Sequence, residues 1–327
     1  MSDQQSRETI GVILLNLGGP DTLEDVEPFL FNLFSDRKII RLSPFPFLQK
    51  FIAARIAKKR APKSREAYRL IGGGSPLARI TAAQGHALED VLAAAGSFKV
   101  RMAMRYWYPK AEETLRMFAQ AGISKVVALT LYPHYSVATT GSSLDDLRKA
   151  AQAAQTPFAM AEVRQWPMQA DYVASLAEAI GKGLASFGGE QVELVYSAHS
   201  LPVKFIEEGD PYLDQIRQTI GAVEEMTGKS GQLCFQSRSG PVQWLSPSTP
   251  DMLKSLSGQG CKNILMVPIS FVSDHVETLY EIDLLYKGQA RDLGMRLERT
   301  PSLNSEPRFI RGLASLVLDA CRRQDWL

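Results

Sequence analysis

Cysteine is scarce in this sequence. Its three cysteines, Cys234, Cys261 and Cys321, lie far apart, and none belongs to a C-x-x-C pair. Such spacing argues against a disulfide framework and against a thiolate metal site, and it favours a reducing, intracellular compartment. No apolar run approaches the ~20 residues that a membrane span needs. Residues 1–9 lack the apolar centre of a secretory signal. We therefore expect a cytoplasmic protein.

An excess of charge of one sign is also missing. The 37 Lys and Arg residues and the 35 Asp and Glu residues leave a formal net charge of +2. Binding to nucleic acid would need a strong basic excess or a clustered basic stripe, so we expect no nucleic-acid partner. The 45% hydrophobic and 22% charged residues are typical of a globular protein. The length suits two domains of about 150 residues each.

The familiar nucleotide-binding motifs are absent as well. The first apolar run, residues 10–17, predicts a buried strand and is followed by Gly18-Gly19-Pro20. This loop has neither the spacing of G-x-G-x-x-G nor the lysine of a phosphate-binding P-loop. We interpret its two glycines as positions where the backbone comes close to a different ligand.

What is present is an alternation of strand and helix patterns. Apolar strand patterns recur along the first half of the chain, and amphipathic helical patterns lie between them. This order predicts an α/β fold with parallel strands and helices on both faces of the sheet. The predicted strands are 10–17, 100–104, 125–131 and 158–163, and the predicted helices are 81–95, 110–121 and 142–154.

The second half of the chain repeats the first. The segment that starts at Lys125 superimposes without a gap on the segment that starts at Lys262, and residues 100–115 have a counterpart in residues 233–253. We therefore predict two similar Rossmann-like domains, residues 1–167 and 168–327, with a cleft between them for a ligand.

The two halves differ in an insertion that covers about residues 29–71. It combines the aromatic residues Phe45, Phe47 and Phe51 with a group of basic residues. Such an extension fits a lip that covers a large anionic, apolar ligand, or a patch that contacts anionic lipid headgroups. The alternative is an ordinary helical hairpin with a solvated face. The basic residues are Lys50, Arg55, Lys58, Lys59, Arg60 and Lys63.

One histidine lies where a ligand is expected. The apolar run 192–195 predicts a buried strand, and Pro202 ends its pairing because proline has no backbone N–H. His199 therefore lies at the carboxyl end of a predicted parallel strand, the edge where open α/β sheets bind ligands. The alternative is a core histidine that is satisfied by one hydrogen bond.

Three carboxylates follow the predicted strand 263–269. Asp274, Glu277 and Glu281 are spaced i, i+3 and i+7, which predicts one shared face of a helix. Because three carboxylates on one face repel each other, the arrangement favours transient binding of a divalent metal or the transfer of protons. A plain exposed face is the alternative. In the repeat, this ladder begins at the same sheet edge as His199.

Six motifs, in order over nearly the whole chain, resemble those of the ferrochelatases. The resemblance implies insertion of Fe²⁺ into protoporphyrin IX, the terminal step of haem synthesis, by two Rossmann-like domains with a porphyrin cleft between them. The motifs are N-L-G-G-P at 16–20, I-G-G-G-S-P at 71–76, R-Y at 105–106, Y-P-H-Y-S at 132–136, S-A-H-S-L-P at 197–202 and S-D-H-V-E-T-L-Y-E at 273–281.

The resemblance also implies roles for particular residues. His199 and Glu277 match the active-site pair, with His199 as proton acceptor or metal ligand and Glu277 as metal ligand or proton relay. Asp274, His275 and Glu281 match the polar path for protons or metal beside that pair. The positions that match porphyrin-binding residues are Leu17, Arg60, Tyr68, Ser75, Arg105, Tyr106, Tyr135 and Trp244.

Fe²⁺ is expected as a substrate, without a permanently bound cofactor. Three cysteines cannot supply the four thiolates of the iron–sulfur cluster that some ferrochelatases hold, so we predict no cluster. Enzymes that use coproporphyrin III usually carry a tyrosine where this chain has Leu17, which favours protoporphyrin. The open alternatives are a coproporphyrin III ferrochelatase, a chelatase for another tetrapyrrole or metal, and a haem-binding carrier.

The expected partners are small-molecule substrates, protoporphyrin IX and Fe²⁺. The lip is a candidate for peripheral contact with a membrane. The proteins that precede or follow this step of haem synthesis are candidate protein partners.

Overall fold

The computed structural model describes residues 8–238 and 242–327. The described chain forms two compact units. Residues 8–132, 136–165 and 305–327 belong to the first unit, and residues 133–135 and 166–304 belong to the second. No helix of the described ranges combines the length and the apolar character that crossing a membrane would require.

The first unit is built on a four-stranded parallel sheet with the order β2-β1-β3-β4. The central strand β1 is buried at every position, because helices cover both faces of the sheet. Gly11 allows one of these helices to lie very close, since a Cβ atom there would lie 2.8 Å from the Phe118 ring. The elements are β1 (Ile10–Asn16), α1 (Val26–Ser35), α2 (Gln49–Leu70), α3 (Leu77–Leu92), β2 (Phe98–Met104), α4 (Ala111–Gln120), β3 (Lys125–Thr130), α5 (Ser142–Ala153) and β4 (Ala159–Val163).

The second unit repeats this arrangement with the sheet order β6-β5-β7-β8, again all parallel. Each strand takes the sheet position of its counterpart in the first unit. The prediction of two similar α/β halves with parallel sheets is therefore confirmed. The elements are α6 (Ala170–Ala185), β5 (Glu193–His199), α7 (Val203–Glu207), α8 (Tyr212–Thr227), β6 (Gly231–Gln236), α9 (Thr249–Gly258), β7 (Asn263–Pro268), α10 (Lys287–Asp292) and β8 (Arg296–Arg299).

The last helix, α11 (Pro307–Arg322), returns to the first unit and packs on α3 and on β3 and β4. This differs from the expectation that residues 168–327 form one domain. The physical reason is the apolar face of α11, which buries Phe309, Ile310 and Val317 and is covered by the first sheet and its helix.

The insertion forms a helical hairpin of α1 and α2, joined through a 3₁₀ turn at Pro46–Leu48. Ala53, Ala57 and Ala61 lie on one face of α2 and are buried, which is typical of two helices in close contact. In contrast, Phe45, Phe47 and Phe51 are 58%, 77% and 63% exposed. These aromatic side chains are therefore surface groups of the hairpin and not part of its core.

A wide, π-helical segment follows the third strand of each sheet. One spans Val137–Gly141 and leads into α5, and the other spans Glu277–Tyr286 and leads into α10. In a π-helix the backbone hydrogen bonds join residue i to residue i+5, and such segments are rare and often found at functional sites. The second one starts at Glu277, so the predicted α-helix with Asp274, Glu277 and Glu281 on one face is wrong.

Candidate active site

His199 is the last residue of β5, at the carboxyl edge of the second sheet. The parallel register sets it beside Gln236, the last residue of β6. The His199 backbone is held on both sides: its N–H donates to Ser270 Oγ at 3.0 Å, and its carbonyl accepts from the Tyr212 hydroxyl at 3.0 Å. The imidazole itself is 35% exposed. The fold thus fixes the main chain of His199 and leaves its ring partly open.

One carboxylate lies between two imidazoles. His199 Nε2 is 3.3 Å from Glu277 Oε1, and His275 Nε2 is 3.0 Å from Glu277 Oε2. Each ring also turns its Nδ1 atom to a main-chain carbonyl, that of Ser200 at 2.6 Å for His199 and that of Ser273 at 3.0 Å for His275. Because a carbonyl oxygen only accepts, both Nδ1 atoms carry a proton.

This geometry ties the protonation of the His199 ring to the carboxylate. A ring with a proton on Nδ1 donates from Nε2 only when it is a positively charged imidazolium. Burial alone would lower the pKa of His199, but the Glu277 carboxylate outweighs it and raises that pKa to about 9. Burial would raise the pKa of Glu277, yet His199 and His275 hold it well below its usual range. Near pH 7 His199 and Glu277 are therefore an ion pair.

The ion pair changes the expected role of His199. An imidazolium has no lone pair with which to accept a proton or a metal ion. His199 must first lose the proton that it shares with Glu277 before it acts as a base or a ligand.

Glu281 lies close to this cluster and behaves differently. Its Oε2 accepts from Ser237 Oγ at 2.7 Å and from Gln236 Nε2 at 3.1 Å. Burial and the negative charge of Glu277 raise the pKa of Glu281 despite these hydrogen bonds. Two neighbouring carboxyl groups with pKa values shifted in opposite directions are a common arrangement for dividing acid and base roles.

Sequence reasoning missed Gln236. Its amide Nε2 also donates to the Glu277 carbonyl at 2.9 Å, and its Oε1 accepts from Ser197 at 2.6 Å, so it joins β5 to the π-helix. The available signal was a polar residue at the end of a predicted strand beside that of His199.

Asp274, which the motif placed on the polar path, is held by a set of surrounding donor groups. Arg299 and the side chains of Asn304, Ser302 and Thr278 all donate to its carboxylate. Burial would raise the pKa of Asp274, but these hydrogen bonds and the Arg299 charge hold it below its usual value. Its oxygen atoms are engaged and its charge is fixed, so the structure gives Asp274 an anchoring role.

The donor atoms at this edge suit a metal ion that is a substrate. Imidazole nitrogen and carboxylate oxygen are both ligands that Fe²⁺ accepts. Within residues 8–238 and 242–327, no group of three or more His, Cys, Asp or Glu side chains is arranged to hold a metal ion.

Two predicted porphyrin-binding residues lie in the second unit. Trp244 forms an isolated antiparallel bridge with Pro202, so it lies next to the segment that follows His199. Its indole Nε1 is buried and has no hydrogen-bond partner among the described residues. Tyr135 is half-buried, and its backbone N–H donates to Gln215 Oε1 at 2.7 Å.

Arg105 and Tyr106 belong to the first unit and are engaged there. Tyr106 is 1% exposed and donates its hydroxyl to Asp36 Oδ2 at 2.7 Å. The Arg105 guanidinium contacts Asp36 at 2.9 Å, Ser142 Oγ at 2.7 Å and Asp146 at 3.4 Å. Tyr106 therefore has no exposed ring face for a porphyrin, contrary to the expectation. Two carboxylates already balance the charge of Arg105.

The loop with Gly18 and Gly19 packs against other segments of the protein. A Cβ atom on Gly19 would lie 2.5 Å from Ser75 Oγ, and Gly18 has φ +87° and lies against Trp107. The Ser75 N–H donates to the Pro20 carbonyl at 2.7 Å. These glycines let two segments of the protein approach each other, and this internal packing accounts for both of them.

The remaining predicted porphyrin-binding residues are spread over the first unit. Leu17 and Ser75 are half-buried, and Tyr68 is buried. Arg60 is exposed on α2, with its guanidinium 5.5 Å from the centre of the Phe34 ring. The structure thus brings His199, His275, Glu277 and Glu281 together in the second unit, whereas Leu17, Arg60, Tyr68, Ser75, Arg105 and Tyr106 belong to the first.

The solved structure of SirB from Bacillus subtilis with Fe³⁺ is similar in fold. The TM-score is 0.56 at 9% identity, and the match covers 97% of both chains. The sirohydrochlorin chelatase SirB from Bacillus subtilis subspecies spizizenii in complex with cobalt gives a TM-score of 0.53, also at 9% identity, with 97% of both chains covered. At this identity the likeness concerns the fold alone.

Sequence comparison gives a much closer match. The ferrochelatase family model matches residues 9–321. The ferrochelatase of Desulfotalea psychrophila is 59% identical over 96% of this chain and 98% of its own, and that of Geotalea uraniireducens is 52% identical over 95% and 97%. That of Nostoc punctiforme is 45% identical over 96% of this chain and 82% of its own. The chain therefore belongs to the ferrochelatase family, the enzymes that insert a metal ion into a porphyrin.

Proposed function

We propose that this enzyme inserts Fe²⁺ into protoporphyrin IX and that His199 and Glu277 act at the reacting centre. The observation that carries the proposal is the Glu277 carboxylate between the His199 and His275 imidazoles, at the carboxyl edge of a parallel sheet. Metallation requires a base for two pyrrole protons and weak ligands for the incoming metal, and this cluster contains both.

The first step that the residues support is loss of the His199 Nε2 proton to solvent, which reaches the ring because the imidazole is 35% exposed. An approaching Fe²⁺ repels the positive charge of the His199 imidazolium and favours the neutral imidazole. Neutral His199 then has a lone pair on Nε2, which accepts a pyrrole proton or binds the metal. Glu277 keeps its negative charge beside the metal and offsets the charge that enters the site.

Glu281 is the proposed next carrier of protons. Its raised pKa means that it takes up and releases a proton closer to neutral pH than an ordinary glutamate does. Gln236 contacts Glu281 and the Glu277 backbone, so it holds the two carboxyl groups at a fixed relation.

The preference for protoporphyrin rests on the apolar side chain of Leu17 and on Trp244. An indole supplies flat apolar surface for a macrocycle, and its buried N–H, which lacks a partner among the described residues, is a donor for an acidic group of the substrate. Arg60, exposed on α2, is the proposed contact for a propionate.

The lip is the proposed site of peripheral contact with a membrane of a cytoplasmic enzyme. Three exposed phenylalanine side chains lie at the turn and at the start of α2, and exposed basic residues follow them along that helix. Aromatic side chains that enter the headgroup region beside basic residues are typical of proteins that bind anionic lipid surfaces.

We also propose that the enzyme works without an iron–sulfur cluster. The sequence has three cysteines, one fewer than a four-thiolate cluster needs. Burial raises the pKa of both Cys234 and Cys321 to about 11, which disfavours the thiolate form that binds iron.

The function is tested by steady-state metallation of protoporphyrin IX with Fe²⁺, followed by the porphyrin and haem absorption spectra. We expect many turnovers per chain, and faster turnover with protoporphyrin than with coproporphyrin III. At most one haem formed or bound per chain would indicate a haem carrier instead. Equal or faster turnover with coproporphyrin would contradict the assigned substrate.

A further inference from the structure

Arg299 joins the edge of the second sheet to the π-helix that carries Glu277. It is the last residue of β8, and its side chain is 10% exposed. Its Nε and Nη2 atoms donate to the two carboxylate oxygens of Asp283 at 2.8 and 2.9 Å, and its Nη1 donates to Asp274 Oδ1 at 3.1 Å. Asp283 lies within the π-helix, whereas Asp274 lies just before it.

Asp274 carries this connection to the start of the helix. The Thr278 hydroxyl lies 3.1 Å from Asp274 Oδ1, and Thr278 Oγ1 accepts the backbone N–H of His275 at 3.0 Å. Asn304 donates to Asp274 Oδ2 at 2.9 Å and accepts the Asp274 backbone N–H at 2.9 Å. The contacts of Arg299 therefore reach the chain on both sides of Glu277.

The conformation of the segment explains why such contacts matter. An α-helix has 3.6 residues per turn, and a π-helix, with i to i+5 hydrogen bonds, has more. Relaxation of Glu277–Tyr286 to an α-helix would change the direction in which Glu277 points relative to Asp283. Asp283 makes its bidentate contact, and Glu277 contacts two imidazoles, while the segment is π-helical.

We propose that Arg299, together with Asp274 and Asp283, is a positioning residue. It holds Glu277–Tyr286 in the π-helical conformation and so directs Glu277 at His199 and His275. The inference rests on the proposed function, because it gives Arg299 a role through Glu277. Arg299 touches neither imidazole nor Glu277 in the contacts described above, so its effect on the reaction is indirect.

Asp283→Ala tests the proposal, because it removes the bidentate contact and leaves Arg299 paired with Asp274. Displacement of a reacting group by about 1 Å costs roughly a hundredfold in rate, so we expect kcat to fall tenfold to a hundredfold. The KM for porphyrin should stay within about twofold, since an interaction made only in the transition state changes kcat and not ground-state binding. Asp283→Glu, which keeps a carboxylate, should recover most of the activity.

Glu298→Gln is the matched control. Glu298 lies next to Arg299 on β8, and its carboxylate pairs with Lys287, just after the π-helix, at 2.7 Å. This variant removes an ion pair between the same strand and the same helical region without touching Asp274 or Asp283. We expect parent-like kcat and KM. Hydrogen exchange of residues 277–286 should become faster in Asp283→Ala and stay unchanged in the control.

The proposal is overturned if folded Asp283→Ala retains parent kcat, or if Glu298→Gln loses as much activity. If the alanine variant does not fold, Arg299→Lys takes its place, because lysine keeps the charge but cannot form the planar two-point contact; parent kcat in this variant also overturns the proposal. Glu277→Gln in the same series separates the two hypotheses. Parent activity in Glu277→Gln refutes the proposed function, whereas an inactive Glu277→Gln with parent-like Asp283→Ala refutes only the positioning role.

Discussion

The two units place a π-helical segment at the same point of the same sheet order, yet only the second carries ionisable groups there. The segment after β3 contains threonine and glycine, and in the gapless superposition of the repeats Thr140 takes the position of Glu277. The segment after β7 starts with Glu277 and follows His275. A repeated fold therefore supplies two similar edges, and the residue types decide which edge can exchange protons.

The ionisable groups near the first π-helix form a closed network. Asp36 accepts hydrogen bonds from Tyr106, Ser142 and Arg105, and Lys38 binds Asp145. Every one of these charged groups has an opposite charge or a hydroxyl beside it, and the pKa of Asp36 lies below its ordinary value. Such a network stabilises the fold. In the second unit, neighbouring carboxyl groups have pKa values shifted in opposite directions, which suits proton exchange.

The largest expected effect comes from removing the ionisable groups of the second edge. His199→Ala and Glu277→Gln should each lower kcat by ~10² to 10⁴ and leave porphyrin binding within a few-fold, since loss of a positioned acid–base group costs about this much. The double variant should be scarcely worse than either single one, because residues that act as a unit are not additive. Steady-state kinetics and porphyrin fluorescence measure the two quantities.

Thr140→Val is the control for these variants, because it changes the position in the first unit that corresponds to Glu277. It removes a hydroxyl that lies 3.3 Å from Thr130 Oγ1. We expect kcat close to that of the parent. A loss similar to that of Glu277→Gln would mean that both edges contribute to the chemistry.

Much of this comparison was predictable from the sequence, because alternation of apolar runs and helical patterns predicts parallel strands with helices on both faces. The gapless superposition of Lys125 on Lys262 predicted the repeat, and the rule that ligands bind at the carboxyl edge of parallel strands drew attention to His199 and Glu277. Both residues lie at that edge because strand direction, and not side-chain detail, sets their position.

The structure departs from the expectations drawn from the sequence where distant segments meet or where the backbone leaves the common helix type. A spacing of i, i+3 and i+7 assumes an α-helix, and nothing in that spacing reveals the π-helix. Asp274 is anchored by Arg299 and Asn304, which lie 25 and 30 residues further along the chain. Tyr106 matches a motif, but a motif does not tell a buried phenol from an exposed one.

Disruption of the closed network of the first unit should cause a large loss of stability. Asp36→Ala removes the carboxylate that Arg105 and Tyr106 share and leaves a largely buried guanidinium with one fewer partner, which costs about 3 kcal/mol. The measurement is the urea midpoint by circular dichroism. Glu66→Ala, which breaks the exposed pair with Arg69, should leave the midpoint close to that of the parent. Equal midpoints for all three proteins would contradict the stabilising role of the network.

The insertion is a further difference between the units, and its surface is open to a direct test. Replacing Phe45, Phe47 and Phe51 by serine should weaken binding to phosphatidylserine vesicles at least about tenfold, since burial of one phenylalanine contributes about 1.5 kcal/mol or more. Vesicle sedimentation measures the binding. The melting temperature should change little because the rings are exposed. Unchanged sedimentation would contradict the proposal that the lip contacts a membrane.

The pH dependence of stability should reflect Asp36. Burial raises its pKa, but hydrogen bonds from Ser142, the Lys38 backbone and Tyr106, with the charge of Arg105, hold it below the ordinary value of 3.8. A carboxyl group with a depressed folded-state pKa contributes stability that is present above the unfolded-state value and is lost as pH falls through the folded-state value. The urea midpoint should therefore fall more steeply below about pH 4 in the parent than in Asp36→Asn. Parallel curves for the two proteins would exclude Asp36 as the source.

The smallest expected effect concerns the choice of porphyrin. Leu17 is half-buried just after β1, and its carbonyl accepts the backbone N–H of Tyr106 at 2.9 Å, so a substitution changes the side chain on a fixed main chain. Leu17→Tyr adds a phenol whose hydroxyl favours a more polar ring substituent and whose size disfavours an apolar one. We expect the ratio of kcat/KM for protoporphyrin over coproporphyrin III to fall several-fold, since a change of this kind is worth on the order of 1 kcal/mol. Leu17→Met keeps an apolar side chain of similar volume and should leave the ratio unchanged. If both variants keep the parent ratio, the selectivity comes from the other positions proposed to bind the porphyrin, with Trp244 of the second unit the first to test.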